Sequence, residues 1–143
     1  MVVPVFNEES RFDLSYWKNM MQIKNTTWIF IDDGSTDNTL SMLSKVTHKT
    51  NSIVLSNHLN IGKGPTIRRG FSYISQNLIM KKFSNSQLEI QNLNFGYIDS
   101  DGAFNIEEVD DFIQFSAEMC HLELKSNSRT KKVKGRKTKT GGQ

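Results

Sequence analysis

Asp99 and Asp101 in "FGYIDSDGAF" (95–104), two carboxylates with only Ser100 between them, are the residues best suited to chemistry. In an extended strand, side chains two apart share a face, so both acids point the same way. Like charges so placed repel unless solvent or a cation relieves them. Taken alone, the stretch reads either as a strand ending in a solvated turn at Gly102 or as an acid pair awaiting a cation.

Polar groups also gather after three other apolar runs. Asn7-Glu8-Glu9 follows "VVPVF" (2–6), Asp32-Asp33-Gly34-Ser35 closes "TWIFID" (27–32), and "NHLNIGKG" (57–64) follows "SIVLSN" (52–57). "DDGSTDNT" by itself could be a turn and a helix cap. "NIGKGPTIRRG" is neither a P-loop nor a dinucleotide fingerprint. Asn57 stands where the P-loop's first Gly belongs and Gly64 where its Ser or Thr belongs, while Ile67 replaces the third Gly of the dinucleotide pattern. It could still bring Lys63, and Arg68 or Arg69, near an anion, or simply start a helix.

These loops need a scaffold. The four continuous apolar runs, the last at 94–99, suit strands buried on both faces of a parallel sheet. Helical stretches are expected between them. One spans 8–23 with Phe12, Leu14, Trp17, Met20, Met21 and Ile23; the next, 35–46, begins with capping residues and buries Leu40, Leu43 and Val46. A third follows Gly64 and Pro65, with Ile67, Phe71, Ile74 and Leu78; a last, near 106–120, carries Ile106, Val109, Phe112, Ile113 and Ala117 on one face. "KKFSNSQLEIQN" (81–92) reads as a polar surface insertion. The alternation predicts an α/β fold, a mostly parallel sheet flanked by helices, with right-handed crossovers and a central first strand. The four polar loops then meet at the sheet's carboxyl edge, where such folds bind ligands.

Composition narrows the class. The 143 residues suit one domain, with 36% apolar content and a mean hydropathy of -0.48. No run approaches the roughly 18 apolar residues of a membrane span, and no leader pattern opens the sequence. A single cysteine, Cys120, excludes an internal disulfide, and His48, His58 and His121 have no metal-ligand spacing. Residues 125–143 hold eight of the 18 Lys and Arg and no acid, leaving ten basic against fifteen acidic residues before them, a formal -5. The expectation is an acidic globular body over 1–124 with a basic, mobile tail over 125–143.

"VVPVFNEE", "IDDGSTDNT", "NIGKGPTIRRGF" and "YIDSDG", in this order, resemble glycosyltransferase family 2 over roughly residues 2–115, and most nearly its polyprenyl-phosphate (dolichyl-phosphate) mannose or glucose synthase branch. The resemblance implies a nucleotide-sugar-binding fold of the GT-A type. Pro4, Phe6 and Glu8 match the stretch lining the nucleotide pocket, with Phe6 in place of the commoner Tyr. Asp33, with Asp32 beside it, matches the base-holding position. Asp99 matches the ribose-binding acid and Asp101 the acid that binds Mg²⁺ or Mn²⁺. Lys63 falls in the branch's Gly-Lys-Gly stretch, Ala103 replaces a polar side chain that can reach the metal, and Arg129 matches a diphosphate-contacting Arg with Asn127 in place of Gly. The implied donor is a UDP- or GDP-linked sugar, transferred with inversion, and the implied acceptor is a polyprenyl phosphate at the cytoplasmic membrane face. Because acceptor-binding elements usually follow in the family, the expectation is a donor-binding part, either of a transferase or of a non-catalytic relative.

Two other classes fit less well. Phosphoacceptor signalling domains carry paired acids after the first strand, where this chain has Asn7-Glu8. Nucleic-acid binding through the basic tail would lack stacking aromatics, which residues 125–143 do not contain.

Overall fold

Three of the four apolar runs become a short parallel sheet in the computed structural model, which describes residues 1–83 and 93–119. Strand β1 is Val2–Val5, β2 Trp28–Asp32 and β3 Ser52–Ser56, in the order β1-β2-β3. Val2 lies opposite Ile29, and Trp28 opposite Ser52. Helices α1 (Leu14–Met20), α2 (Thr39–Val46) and α3 (Lys63–Phe83) alternate with the strands, and residues 106–119 are helical.

Beyond β1, on the side away from β2, the segment around Tyr97 makes one parallel bridge to Val2. Val2 N–H donates to the Gly96 carbonyl at 2.8 Å, and Ile98 N–H donates to the Val2 carbonyl at 3.0 Å. β1 is therefore central, as expected, but the fourth strand expected over 94–99 is reduced to this bridge. The next donor in a parallel ladder would be residue 4, and Pro4 has no N–H. Pairing stops there, and the two segments run on without a further bond.

Chirality accounts for the layering. The chain moves from β1 to β3 in one direction, then returns past β1 to Tyr97, and right-handed crossovers put the helices of the two directions on opposite faces. Trp17 and Met20 of α1, Leu43 and Val46 of α2, and Val109 pack on one face with Val3, Val5, Trp28 and Phe30. Phe71, Tyr73 and Ile74 of α3 pack on the other against Val2, Ile29 and Ile31. Gly70 allows α3 this close approach, since a Cβ there would stand 2.7 Å from Val2 Cγ1.

The helices depart from expectation in two respects. The stretch 8–23 is helical only from Leu14, because Asn7 takes a left-handed φ of 49° and the following residues bond to the β2–α2 turn. Asp13 then caps α1, its carboxylate accepting from Tyr16 N–H at 2.9 Å. Leu14, Leu40, Phe112 and Ala117, expected inside, are exposed, whereas Phe12, Trp17, Met20, Leu43 and Val109 are buried. Most of the 81–92 insertion and all of the 125–143 tail lie outside the described residues.

Candidate functional site

The divergence of β1 and the Tyr97 segment opens a cleft of about 380 Å³ at the carboxyl end of the sheet. This is the point where strand order reverses, the usual ligand site of open α/β sheets. Pro4, Val5, Phe6 and Glu8 line it from β1 and the loop after it, Asp33 from the end of β2, Asn60, Gly62 and Lys63 from the α3 entrance, and Asp99, Ser100 and Asp101 from the far side.

Asp33 holds the α3 entrance in place. Its buried carboxylate accepts from Asn57 Nδ2 at 2.7 Å, Ile61 N–H at 3.0 Å and Gly62 N–H at 2.9 Å. Burial pushes its pKa up, but the donors of Ile61, Asn57, Thr66 and Gly62 outweigh this and hold the carboxyl below the usual range. Asn57 also donates to the Thr66 hydroxyl and accepts from Arg69, which fixes the turn into α3 from below. Gly34 makes the approach possible: with φ +70°, a Cβ there would lie 2.4 Å from the Leu59 carbonyl carbon.

A second set of bonds ties the β1–α1 loop to the β2–α2 turn. Asn7 N–H donates to Ser35 Oγ, Glu8 N–H to Thr39 Oγ1, and Thr36 N–H to Asn7 Oδ1, at 2.8–2.9 Å. Asn38 donates to both oxygens of Glu9, whose own N–H donates to Asp37. Much of the polarity of "NEE" and "DDGSTDNT" is therefore spent joining two loops. The carboxylate of Glu8, on the cleft side, accepts from Arg11 at 2.9 Å.

Across the cleft, Lys63 Nζ pairs with Asp99 Oδ1 at 2.5 Å, both groups half-exposed. The hydrogen bond to Asp99 raises the Lys63 pKa, with burial opposing. Asp101 Oδ1 accepts from Ala103 N–H at 3.1 Å, stabilising the turn at Gly102. Seven of the residues expected in a donor site thus share one cleft: Pro4, Phe6, Glu8, Asp33, Lys63, Asp99 and Asp101. Asp32 does not line it. It is buried beneath, one oxygen accepting from Ser56 Oγ at 3.2 Å. Arg129 lies outside the described residues. Arg11 and Asn60 also line the cleft; Asn60 lies in the polar loop 57–64 without having been singled out, and the sequence offered no periodic or spacing signal for Arg11.

The donor set can be tested against a divalent ion. Among the described residues, no cluster of three or more His, Cys, Asp or Glu could hold a metal alone. Mg²⁺ and Mn²⁺ do not need one, since one or two carboxylates completed by phosphate oxygens and water suffice. Asp99 and Asp101 line one cleft and could supply two such carboxylates, the Lys63 ammonium competing with an ion for Asp99.

The family model described as Glycosyl transferase family 2 matches residues 1–80. The dolichyl-phosphate beta-glucosyltransferase ALG5A of Trichomonas vaginalis is 29% identical over 140 residues, an alignment covering 91% of this chain and 36% of that protein. Among solved structures, S. aureus TarS 1-349 superposes with a TM-score of 0.49 at 24% identity, covering 82% of this chain and 31% of its own. A second structure of S. aureus TarS gives a TM-score of 0.47 at 23% identity over 82% of this chain and 19% of its own. The chain thus spans about a third or less of the length of these relatives.

Proposed function

The chain belongs to glycosyl transferase family 2 and has its GT-A-type α/β fold, and from that premise we propose that its cleft binds the nucleotide-diphosphate sugar of a metal-dependent, inverting glycosyl transfer. The observation that carries the reading is the convergence of Asp99, Asp101, Lys63 and Asp33 on one cleft at the strand-order reversal. Acids alone would repel a diphosphate. Acids that hold a cation beside a lysine attract one.

Asp99 and Asp101 are the residues that would hold Mg²⁺ or Mn²⁺. When bound, such an ion neutralises charge that builds on the departing diphosphate. Lys63 stands at the first turn of α3, which contains no acid, so its ammonium and the helix's positive end both favour an anion. Asp33 orders the Ile61–Gly62 amides at the cleft wall, the position that the resemblance implies for the base. Phe6, 40% exposed, offers a ring against which a base can pack.

The acceptor we favour is a polyprenyl phosphate, by analogy with the dolichyl-phosphate enzyme, whose name specifies that acceptor. An acceptor that is already an anion needs little help from a general base, and none of the cleft residues has to supply one. Among the described residues no helix is long and apolar enough to cross a membrane.

Calorimetric titration of UDP-glucose and GDP-mannose, each with and without Mn²⁺, tests this on the chain and on Asp101→Asn. Metal-dependent binding of one donor, lost in the variant, is expected. A folded chain silent to both donors with Mn²⁺ present would refute the reading.

A further inference from the structure

The Asp99–Asp101 loop is anchored from the interior by two neighbouring aromatic residues of α1, of which the sequence presents Trp17 only as helix core and does not single out Tyr16. Trp17 is fully buried, yet its indole N–H donates to the Ser100 carbonyl at 3.1 Å across 83 residues of chain. That carbonyl lies between the two acids. Tyr16 supports the next turn: Gly102 has φ +69°, and a Cβ there would touch the Tyr16 ring at 3.5 Å. Tyr16 and Trp17 meet edge to face at 5.3 Å, and Trp17 also packs on Phe12, Trp28 and Phe30.

We propose that Trp17, with Tyr16 beside it, is a positioning residue for the acid loop, transmitting the rigidity of the aromatic core to the directions of Asp99 and Asp101. This rests on the donor-site reading above. The physical case is one of order. Among the described residues, the Asp101 carboxylate bonds its own turn, at Ala103, and that of Asp99 bonds the long side chain of Lys63. Among the described residues, with the bridge at Val2 ending at Ile98, the buried indole bond ties the loop to a rigid element. Ligand-orienting bonds of this kind typically change metal affinity by about 10- to 100-fold when removed.

Trp28 supplies the control. It is equally buried and 5.6 Å from Trp17, but its indole N–H has no hydrogen-bond partner among the described residues. The experiment compares Trp17→Phe with Trp28→Phe, measuring urea stability and the affinity of Mn²⁺ with UDP or GDP at a temperature where each is fully folded. Both substitutions cost stability. Only Trp17→Phe is expected to weaken binding of the Mn²⁺–nucleotide, by about tenfold.

Equal affinity of Trp17→Phe and wild type, with Asp101→Asn silent, overturns the inference and leaves the donor site standing. So does an equal loss in both tryptophan variants. A wild type silent to both nucleotides refutes the donor-site reading and this inference together. Should Trp17→Phe not fold, Tyr16→Leu removes the ring beneath Gly102, and wild-type affinity in that variant overturns the inference.

Discussion

Replacing Asp33 by Asn is the most informative single perturbation of the cleft, because it changes one atom and tests a structural role against a binding one. The carboxylate takes three hydrogen bonds, from Asn57 and Ile61 on Oδ1 and from Gly62 on Oδ2. The amide can keep the first two on its oxygen, but its NH₂ then faces the Gly62 N–H. A hydrogen bond to a charged group contributes about 1.5–3 kcal/mol, and the two that survive weaken as the charge disappears. Against this, Gly62 N–H also donates to Asn60 Oδ1 at 3.1 Å and keeps part of its satisfaction. The expected loss is about 2–3 kcal/mol at neutral pH, read from urea unfolding.

Acid supplies an independent check. The folded-state pKa of Asp33 lies below its ordinary value of 3.8, so its stabilisation is fully present above that value and is lost as pH falls through the folded pKa. The gap between wild type and variant should therefore be flat from about pH 5 to 8 and shrink below about pH 4. A variant within about 0.5 kcal/mol of wild type at pH 7, or a gap that widens on acidification, would refute the argument.

Gly34→Ala should cost about 3 kcal/mol or more in urea unfolding, since the methyl would meet Leu59 backbone at 2.4 Å with φ at +70°; a loss below about 1 kcal/mol would mean that the Leu59–Asn60 turn yields easily. Thr39→Val removes a fully buried hydroxyl that accepts from Glu8 N–H and donates to Asp37, and about 1–3 kcal/mol should disappear from the same measurement. Lys63→Met should act in opposite directions on two ligands: Mn²⁺ alone binds more tightly once Asp99 loses its competing cation, whereas the Mn²⁺–nucleotide diphosphate binds about tenfold more weakly. Calorimetry that finds both affinities unchanged would leave Lys63 as a surface residue with an incidental ion pair.

The strands β1, β2 and β3 could be read from the sequence to within a residue or two, because parallel strands are marked by uninterrupted apolar runs, although β3, at the end of the strand order, is half-buried rather than buried on both faces as expected. α1 was overestimated because the apolar period starts at Phe12, while the backbone of residues 7–9 is held in a loop by partners from the β2–α2 turn, and Arg11 and Phe12 N–H donate to the Glu8 carbonyl. Leu40 and Phe112 fit a helical stripe, yet helix orientation against the sheet leaves them exposed. Glu8, Asp33, Lys63, Asp99 and Asp101 were found by placing polar loops at strand ends, and Pro4 and Phe6 by the family resemblance. Asn60 lay in one of those loops without being singled out and Arg11 in none, since a side chain's reach into a cleft depends on the loop's path.

By itself, then, the sequence determined the α/β alternation, the central place of β1 and the edge at which the acids gather, because local periodicity and crossover handedness decide these. Only the tertiary structure decided that Pro4 stops the pairing where the cleft begins, that Asp33 is committed to the Ile61–Gly62 amides, that Lys63 pairs with Asp99, and that Trp17 reaches Ser100. Each of these joins residues far apart in the chain, and such contacts leave no spacing signal; they exist only once the sheet has brought its four loops to a single edge.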